Sequence, residues 1–398
     1  MKIVVIEFAG KGGMIHYVFQ LCRAMAAASA DVTLITSKQF ELASLPRNFE
    51  VQPVIDLWDP KANDAGTLFR KLRRIGRAFR YYAEWLRVIR LVGAMGPDVV
   101  QVGDITFPFD LLPLRLLRRK APLFADICHN VNPFDVAGGF RQSRWKKFFY
   151  KRIYRLFDVV FVHFDRNAAE FARSFPSRRV VVIKHGNEGL FEEMRDPAVD
   201  AAALRKRLGI GGEPVVLFFG TLSHYKGVDV LIDAFPRIHR ETGARLVLAG
   251  YPFHDFDVDA HRARARRAGV GDFVTLVPEY VASEEVAAWM QLASVIVFPY
   301  RDIYQSGAIH IAQTFGVPTV ATAVGAMKDV VEDGISGLLV PTEDVDALTS
   351  AIVRLLQDRD LALRLGAGFA EDARGPFSWG ANAATILAVY GRGPSFAP

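Results

Sequence analysis

The sequence is poor in cysteine and contains no long apolar run. Its two cysteines, Cys22 and Cys128, are too few for a disulfide framework, which favours a reducing compartment. Nowhere do roughly 18 uncharged apolar residues follow one another, so no membrane-spanning helix is predicted. The opening MKIVVIEFAG lacks a basic leader, and its apolar run is too short for a signal peptide. We therefore expect a cytoplasmic protein, or one bound peripherally to the inner face of the cytoplasmic membrane.

Metal-ligand patterns are also missing. No Asp-x-Asp pair stands at the end of a predicted strand, and no cluster of histidine and cysteine has ligand spacing. The sequence therefore predicts neither a metal nor another cofactor. Any bound phosphate would then be neutralised by basic side chains and by the free amides of helix N-termini.

Acidic residues are scarce in three stretches of the first half of the chain. Residues 69–90 hold eight basic residues against Glu84 alone, and residues 114–120 and 141–155 are similarly basic; the whole chain has a formal charge of +6. Such one-sided charge predicts an anionic partner, which is nucleic acid, a membrane surface or a phosphorylated ligand. No nucleic-acid-binding motif accompanies the charge, so we predict a membrane surface and no nucleic acid.

The first basic stretch also has a helical pattern. Its apolar residues recur at spacings of four and three, which predicts a buried stripe; they are Leu68, Leu72, Ile75, Phe79, Tyr82, Leu86 and Ile89. The arginines between them, interleaved with Phe69, Tyr81 and Trp85, predict a face that lies on anionic lipid.

Short β-branched apolar runs alternate with helix-length segments along most of the chain, as in KIVVIEF, DVTLITS, VVLFFG and VIVFPY. This alternation predicts an α/β fold with two Rossmann-like, doubly wound parallel-sheet domains that face a cleft. We place the first domain at residues 1–188, a linker at 189–212 and the second domain at 213–376. The last helix, at about 377–398, is expected to pack back onto the first domain.

Ligands of such sheets bind beyond the carboxyl ends of the strands, so turns from strand to helix matter most. The turn FAGKGGM contains Gly10, Gly12 and Gly13, and is either a tight turn or a loop whose backbone approaches a ligand. The turn GTLSHYKG places Lys226 beside Gly227 at a helix start. There a lysine is either a phosphate ligand, because its charge adds to the helix dipole, or a solvated surface residue.

A third turn lies in PYRDIYQSGAIHIAQTFGVPTVAT, residues 299–322. Ser306 opens the predicted helix, and the amides of Gly307, Ala308 and Ile309 have no acceptor within it, so they are available to an oxyanion. Two such turns in one domain predict a diphosphate site.

These segments resemble a known family. FFGTLSHYKGVDVLIDAF, VPEYVASEEVAAWMQLASVIVFPY, SGAIHIAQTFGVPTVAT and VGAMKDVVEDGISGLLVP succeed one another as in the family-four glycosyltransferases of the GT-B fold. The first half is similar more weakly, through the glycine turn, ICHN and VVIKHG. The resemblance implies a nucleotide-sugar donor bound mainly by the second domain, an acceptor held by the first, a retaining course and no metal.

The resemblance also implies roles for individual residues. It makes His129 and Lys226 the candidate catalytic residues, although His129 is alternatively a buried structural histidine. The implied donor-binding residues are Gly12, Gly13, Thr221, Lys226, Glu279, Tyr280, Gln305, Ser306, Gly307, Ala308 and Ile309. The implied acceptor- or sugar-facing residues are Lys11, His129, His185 and Asn187, of which the last two alternatively only cap the linker.

The sequence departs from this family in three places. The family usually carries two glutamates eight positions apart around the third turn, and here these positions hold Ile303 and Ile311. An arginine of the second turn is replaced by Thr221. Gln305, His310 and Asp302 are the candidates that replace the glutamates, by proximity alone.

The function we predict is a hexosyltransferase-type enzyme that moves a sugar from a nucleoside-diphosphate sugar to a lipid-linked or saccharide acceptor, in polysaccharide (including exopolysaccharide) or glycolipid biosynthesis. Two alternatives remain. A nucleotide-sugar epimerase of the same fold would convert the donor without an acceptor. A non-catalytic nucleotide-sugar-binding subunit would account for the missing glutamates.

Overall fold

The computed structural model describes residues 1–56, 67–103, 105, 107–129, 144–175 and 179–393, with only the backbone at 67–75, 144, 146 and 147. The described chain divides into two compact units. Unit 1 comprises Met1–His185 together with Trp379–Pro398, and unit 2 comprises Gly186–Ser378.

Unit 1 is built on a seven-stranded parallel sheet of order β3-β2-β1-β4-β5-β6-β7. The strands are β1 (Lys2–Ile6), β2 (Asp31–Ser37), β3 (Glu50–Ile55), β4 (Val99–Val102), β5 (Leu123–Ile127), β6 (Val159–Val162) and β7 (Arg179–Val182). The helices are α1 (Gly13–Ala27), α2 (Thr67–Met95), α3 (Leu111–Leu117), α4 (Arg144–Tyr154), α5 (Asp165–Ser174) and the last helix of the chain, α15 (Trp379–Gly391), with short 3-10 turns at Pro108–Asp110 and Arg118–Lys120.

Unit 2 has a six-stranded parallel sheet of order β10-β9-β8-β11-β12-β13. Its strands are β8 (Val215–Phe219), β9 (Arg245–Ala249), β10 (Val274–Val277), β11 (Val295–Phe298), β12 (Thr319–Thr322) and β13 (Leu338–Val340). Its helices are α6 (Leu190–Glu193), α7 (Ala201–Leu208), α8 (Val228–Thr242), α9 (Val258–Arg267), α10 (Val286–Leu292), α11 (Gly307–Phe315), α12 (Met327–Val330), α13 (Val345–Gln357) and α14 (Arg359–Arg374), with 3-10 turns at His224–Lys226, Gly271–Phe273 and Ser283–Glu285.

The two sheets confirm the predicted pair of doubly wound parallel-sheet domains. The central strands are apolar along their whole length because helices cover both faces of each sheet: Val215–Phe219 is buried throughout, as are Val295–Phe298 and Val159–Val162. In each sheet the strand order reverses once, between β1 and β4 in unit 1 and between β8 and β11 in unit 2. These reversals are the places where a doubly wound sheet opens a crevice for a ligand.

The predicted buried stripe of α2 is wrong. Phe79 is 75% exposed and Leu86 is also exposed, whereas Tyr81 and Trp85, assigned to the lipid-facing side, are buried with Val88 and Val92; only Ile89 of the described stripe is buried. Both sets have the same spacing of four and three, displaced by one residue. The face with Tyr81 and Trp85 is the buried one because other elements of unit 1 contact it. The Phe8 ring lies 4.6 Å from the Trp85 ring, and the Tyr81 hydroxyl donates to buried Asp110 at 2.7 Å.

The first three stripe positions and Phe69 lie outside the residues whose side chains are described, as does part of the basic stretch 141–155. None of the helices in the described ranges combines the length and the apolar character that crossing a membrane would need.

Candidate functional site

The candidate site of unit 2 lies where the strand order reverses between β8 and β11. Gly220 ends β8 with φ +125°, and a Cβ at that position would lie 3.4 Å from the Nζ of Lys226 and 3.5 Å from the Cβ of Ala308. The ammonium group of Lys226 therefore lies beside the bare backbone of Gly220, in the loop that also faces the first turn of α11. The two predicted phosphate-binding turns do meet at one place.

Lys226 is a buried cation. It is only 7% exposed, and its Nζ lies 5.3 Å from the ring centre of Tyr300 and 5.8 Å from that of Tyr225, within the range of cation–π contact. Within the described ranges its Nζ has no carboxylate partner. Burial lowers the pKa of Lys226 to about 8, so at neutral pH a charged ammonium stands unneutralised at this site.

The N-terminus of α11 adds hydrogen-bond donors. Ser306 is the residue before the helix, is buried, and makes no capping hydrogen bond with its side chain. The amide nitrogen Nε2 of Gln305 is buried and has no hydrogen-bond partner among the described residues. The amides of Gly307, Ala308 and Ile309 belong to the first turn, where a helix has no internal acceptor. A cation, an orphan amide and a helix N-terminus together suit an anion.

The other predicted donor residues of unit 2 lie on exposed loops. Thr221 follows β8, and Glu279 and Tyr280 follow β10, all three exposed to solvent. The loop from β8 is fixed on one side by Asp255, whose carboxylate accepts the Ser223 hydroxyl at 2.7 Å.

In unit 1 the glycine turn is already engaged by a side chain. The amide of Gly12 donates to the carboxylate of Glu41 at 2.6 Å, and the same oxygen lies 2.7 Å from Nε2 of His16. Burial acts to raise the pKa of Glu41, but the hydrogen bonds from His16 and Gly12 outweigh it, and the pKa lies below its usual value. Gly13 and Lys11 are exposed beside this pair. In this conformation the Gly12 amide is bonded to Glu41 and not offered to a ligand.

Three histidines cluster around Tyr17 of α1. The ring of Tyr17 lies 4.7 Å from His129, 5.4 Å from His163 and 5.2 Å from His185, measured between ring centres. Nδ1 of His129 and Nε2 of His163 are 3.2 Å apart and share a hydrogen bond, while Nε2 of His129 is buried without a partner in the described part of the chain. Burial, reinforced by the nearby His185, lowers the pKa of His129 to about 3, so this imidazole is neutral.

Asn187 and His310 are held by structural contacts within unit 2. The side chain of Asn187 donates to the carbonyl of Ala373 at 2.9 Å. His310 is buried, bonds to Gln313 at 3.1 Å through Nδ1, and packs against the Phe377 ring.

Two family models match the chain. The model described as "Glycosyl transferase 4-like domain" matches residues 12–186, and the one described as "Glycosyl transferases group 1" matches residues 213–358. The chain belongs to the family-four glycosyltransferases of the GT-B fold. The predicted family is therefore confirmed.

Curated relatives of the chain are named as sugar transferases. A D-inositol 3-phosphate glycosyltransferase of Xylanimonas cellulosilytica is 27% identical over 95% of this chain and 91% of its own length. Another protein of that name, from Kribbella flavida, is 34% identical over 58% of this chain and 56% of its own. A GDP-mannose-dependent alpha-(1-6)-phosphatidylinositol monomannoside mannosyltransferase of Mycobacterium tuberculosis is 35% identical over 48% of this chain and 50% of its own. The chain thus spans about half the length of two of these three relatives.

Solved structures show the same fold. Anabaena Alr3699/HepE, solved in complex with UDP and glucose, has a TM-score of 0.71 and 18% identity, covering 98% of this chain and 100% of that one. A sucrose-phosphate synthase of Thermosynechococcus elongatus has a TM-score of 0.69 and 23% identity, covering 98% of both chains.

Several residues near the candidate sites of the two units were not identified from the sequence. Tyr225 and Tyr300 were missed because an aromatic residue beside a lysine has no motif, and Arg301 was missed because its partner Asp229 lies 72 positions away. Glu41 lies 29 positions from the amide it binds. Of these four residues, only Arg301 has a signal in the sequence: it is a charged residue three positions after the end of the buried strand β11, in the loop that leads to α11.

Proposed function

We propose that this chain transfers a sugar from a nucleoside-diphosphate sugar, held by unit 2, to a lipid-linked acceptor in polysaccharide or glycolipid assembly. One observation carries the donor part: the ammonium of Lys226 is buried beside the N-terminus of α11, and no carboxylate among the described residues pairs with it. A buried charge without a partner is costly, and a diphosphate would remove that cost. Relatives named as glycosyltransferases support the class of reaction.

The chemistry assigned to this site is stabilisation of the departing diphosphate. As the bond from sugar to diphosphate breaks, negative charge grows on the phosphate oxygens. Lys226 and the amides of α11 are fixed in place beforehand, which is how such sites lower a barrier. A retaining course is supported by the family resemblance alone.

The donor proposal is tested by Lys226→Ala. UDP and GDP are the probes, titrated calorimetrically, and Lys206→Ala on α7 is the matched control because Lys206 is exposed in the same unit. Loss of a charge-assisted contact of about 1.5–3 kcal/mol weakens binding by roughly tenfold to a hundredfold. Equal affinity in the wild type and Lys226→Ala would refute the assignment of Lys226.

The two alternatives are separated by incubating a panel of nucleotide sugars with the protein. An epimerase converts the nucleotide sugar without an acceptor. A binding subunit is stabilised against unfolding when the nucleotide sugar binds, but neither hydrolyses it nor transfers its sugar. Ile311 is the residue that favours the latter reading, because a buried apolar side chain in α11 cannot hydrogen-bond a ribose.

We also propose that unit 1 attaches to an anionic membrane. Five large apolar side chains are between 36% and 59% exposed on the turn at 108–110 and its neighbours α3 and α4: Phe107, Phe109, Leu112, Trp145 and Phe148. We name this set the aromatic face. The helices α2 and α4 pack beside α3, and these three helices carry exposed basic residues, among them Arg90, Arg115, Lys151 and Arg152. The guanidinium of Arg152 lies 3.9 Å from the ring centre of Phe148. Exposed apolar side chains on helices that also carry exposed basic residues suit a surface of anionic lipid.

Attachment is tested by co-sedimentation with phosphatidylcholine vesicles with and without anionic phosphatidylglycerol. Replacing Phe109 and Leu112 by serine should release the protein. The control replaces Ile335 and Leu363, which are 57% and 60% exposed in unit 2, and should bind as the wild type does. If the wild-type protein does not co-sediment with anionic vesicles at low salt, the proposal is contradicted, and the acceptor would then be a soluble molecule.

A further inference from the structure

The loop that carries Lys226 is held by one side chain from a distant part of the chain. The guanidinium of Arg301 donates two parallel hydrogen bonds to Asp229, at 2.8 and 2.9 Å, and a third to the carbonyl of His224 at 2.8 Å. The backbone amide of Arg301 donates to the carbonyl of Tyr225 at 2.8 Å. Arg301 therefore binds the two residues before Lys226 and the first turn of α8 after it.

A second carboxylate fixes the guanidinium from the other side. Nε of Arg301 donates to Glu343 at 3.0 Å. Glu343 has φ +61°, in the left-handed region that residues with a side chain rarely adopt. The planar fork of arginine suits this arrangement, whereas a lysine offers one point charge and cannot make the paired bonds.

The contacts of Arg301 favour a structural role over a role as phosphate ligand. Its charge is matched by Asp229 and Glu343, whereas Lys226 faces no carboxylate in the described ranges. Gly227, with φ +64°, brings the same loop against the carbonyl of Pro299, where a Cβ would clash. Lys226 thus stands in a loop fixed at both ends by the segment 299–301.

We propose that Arg301 is a positioning residue for the donor diphosphate: it acts through Lys226, by fixing the 224–229 loop, and does not touch the ligand. This inference rests on the proposed donor site. Its direct consequence is that Arg301 matters for diphosphate binding only while Lys226 is present.

The test is a double-mutant cycle with UDP as the probe. The variants are Arg301→Gln, Arg301→Lys, Lys226→Ala and the double variant Arg301→Gln/Lys226→Ala. Arg264→Gln is the matched control, because Arg264 also binds an aspartate of α8, Asp233, through two bonds, and no hydrogen bond or ion pair joins it to the 224–227 loop in the described part of the chain.

We expect Arg301→Gln to weaken UDP binding by about tenfold or more, Arg301→Lys to recover part of it, and Arg264→Gln to stay within about twofold of the wild type. The double variant should bind no more weakly than Lys226→Ala alone. Losses that add in the double variant, or an Arg301→Gln affinity equal to the wild type, would overturn the role of Arg301.

A second measurement needs no ligand. Reductive methylation with ¹³C places an NMR probe on Lys226, whose signal is identified by its absence in Lys226→Ala. Release of the loop in Arg301→Gln should raise the pKa of Lys226 toward its ordinary range, and Arg264→Gln should leave it unchanged. A wild type that binds neither UDP nor GDP would refute the donor site itself, while an unmoved pKa would refute the role of Arg301.

Discussion

Lys226 predicts how diphosphate binding depends on pH. Its pKa in the free protein is lowered to about 8, so the charged form that a diphosphate requires is present below pH 8 and is lost above it. UDP affinity should therefore be steady from about pH 7 to 8 and then fall by up to tenfold per pH unit. Calorimetric titration between pH 7 and 10 measures this. In Lys226→Arg, whose guanidinium stays charged, the fall should disappear; a fall of the same size there would assign it to another group.

His129 predicts a loss of stability in acid. Its pKa is lowered to about 3 in the folded protein, against about 6.5 when unfolded, so the unfolded state binds more protons in between. The free energy of unfolding should decrease as pH falls from about 6.5 toward 3, by up to about 1.4 kcal/mol per unit. Urea unfolding at several pH values measures the slope. It should be shallower in His129→Gln and unchanged in the control His254→Gln, whose side chain is 81% exposed.

At the scale of residues, sequence reasoning could single out a group only where one turn of the chain holds it. Lys226 and Ser306 became candidates because glycine and helix-start signals stand beside them in the sequence. Glu41 and Arg301 were not found, because their partners at Gly12 and Asp229 are brought near only by the fold. A contact between two residues that are far apart in the sequence leaves no pattern in the sequence around either of them.

At the scale of elements, the helix α2 has two faces with apolar residues at helical spacing, and the sequence alone does not tell which of them is buried. Trp85 is 3% exposed and packs on Phe8, whereas Phe79 points to solvent. Trp85→Ala should lower the free energy of unfolding by about 3–5 kcal/mol, because a large buried side chain leaves a cavity. Phe79→Ala should change it by less than about 0.5 kcal/mol. Chemical denaturation of both variants checks the face; a large loss in Phe79→Ala would restore the predicted stripe.

The buried face of α2 is displaced by one residue from the predicted one, which shows why the spacing of apolar residues located the helix but not its buried face. Tyr81, Trp85, Val88 and Val92 follow the same rule of spacing as the predicted set. Aromatic residues were assigned to lipid because arginines flank them in sequence. The hydrogen bond from Tyr81 to Asp110 and the ring of Phe8 decide the matter, and both come from other elements.

At the scale of the whole molecule, we predict that donor binding needs no divalent metal. Lys226 and the N-terminus of α11 supply the positive field that a metal would otherwise give, and no group of three or more metal-ligating side chains occurs in the described ranges. UDP affinity should be the same in excess EDTA and in magnesium or manganese. An affinity that EDTA abolishes and either metal restores would contradict this.

The two-domain fold was predictable because parallel sheets buried on both faces leave near-continuous apolar runs, such as Val215–Phe219 and Val295–Phe298. The order of the strands was not predictable, because the alternation of strands and helices along the chain indicates only that the strands are parallel. It is the reversal between β8 and β11 that places Lys226 beside α11.

The position of α15 in the chain has a consequence for synthesis. Unit 1 begins at the first residue, yet its last helix is made after all of residues 186–378. Until then Tyr17 lacks the Trp379 ring at 4.8 Å, and Gln101 lacks the Tyr390 hydroxyl at 2.6 Å. Unit 2 is one continuous segment, so all of its residues have been translated before α15 is made. At that stage unit 1 still lacks the helix that covers Tyr17 and Gln101. Unit 1 can therefore complete its packing only after the whole of unit 2 has been translated.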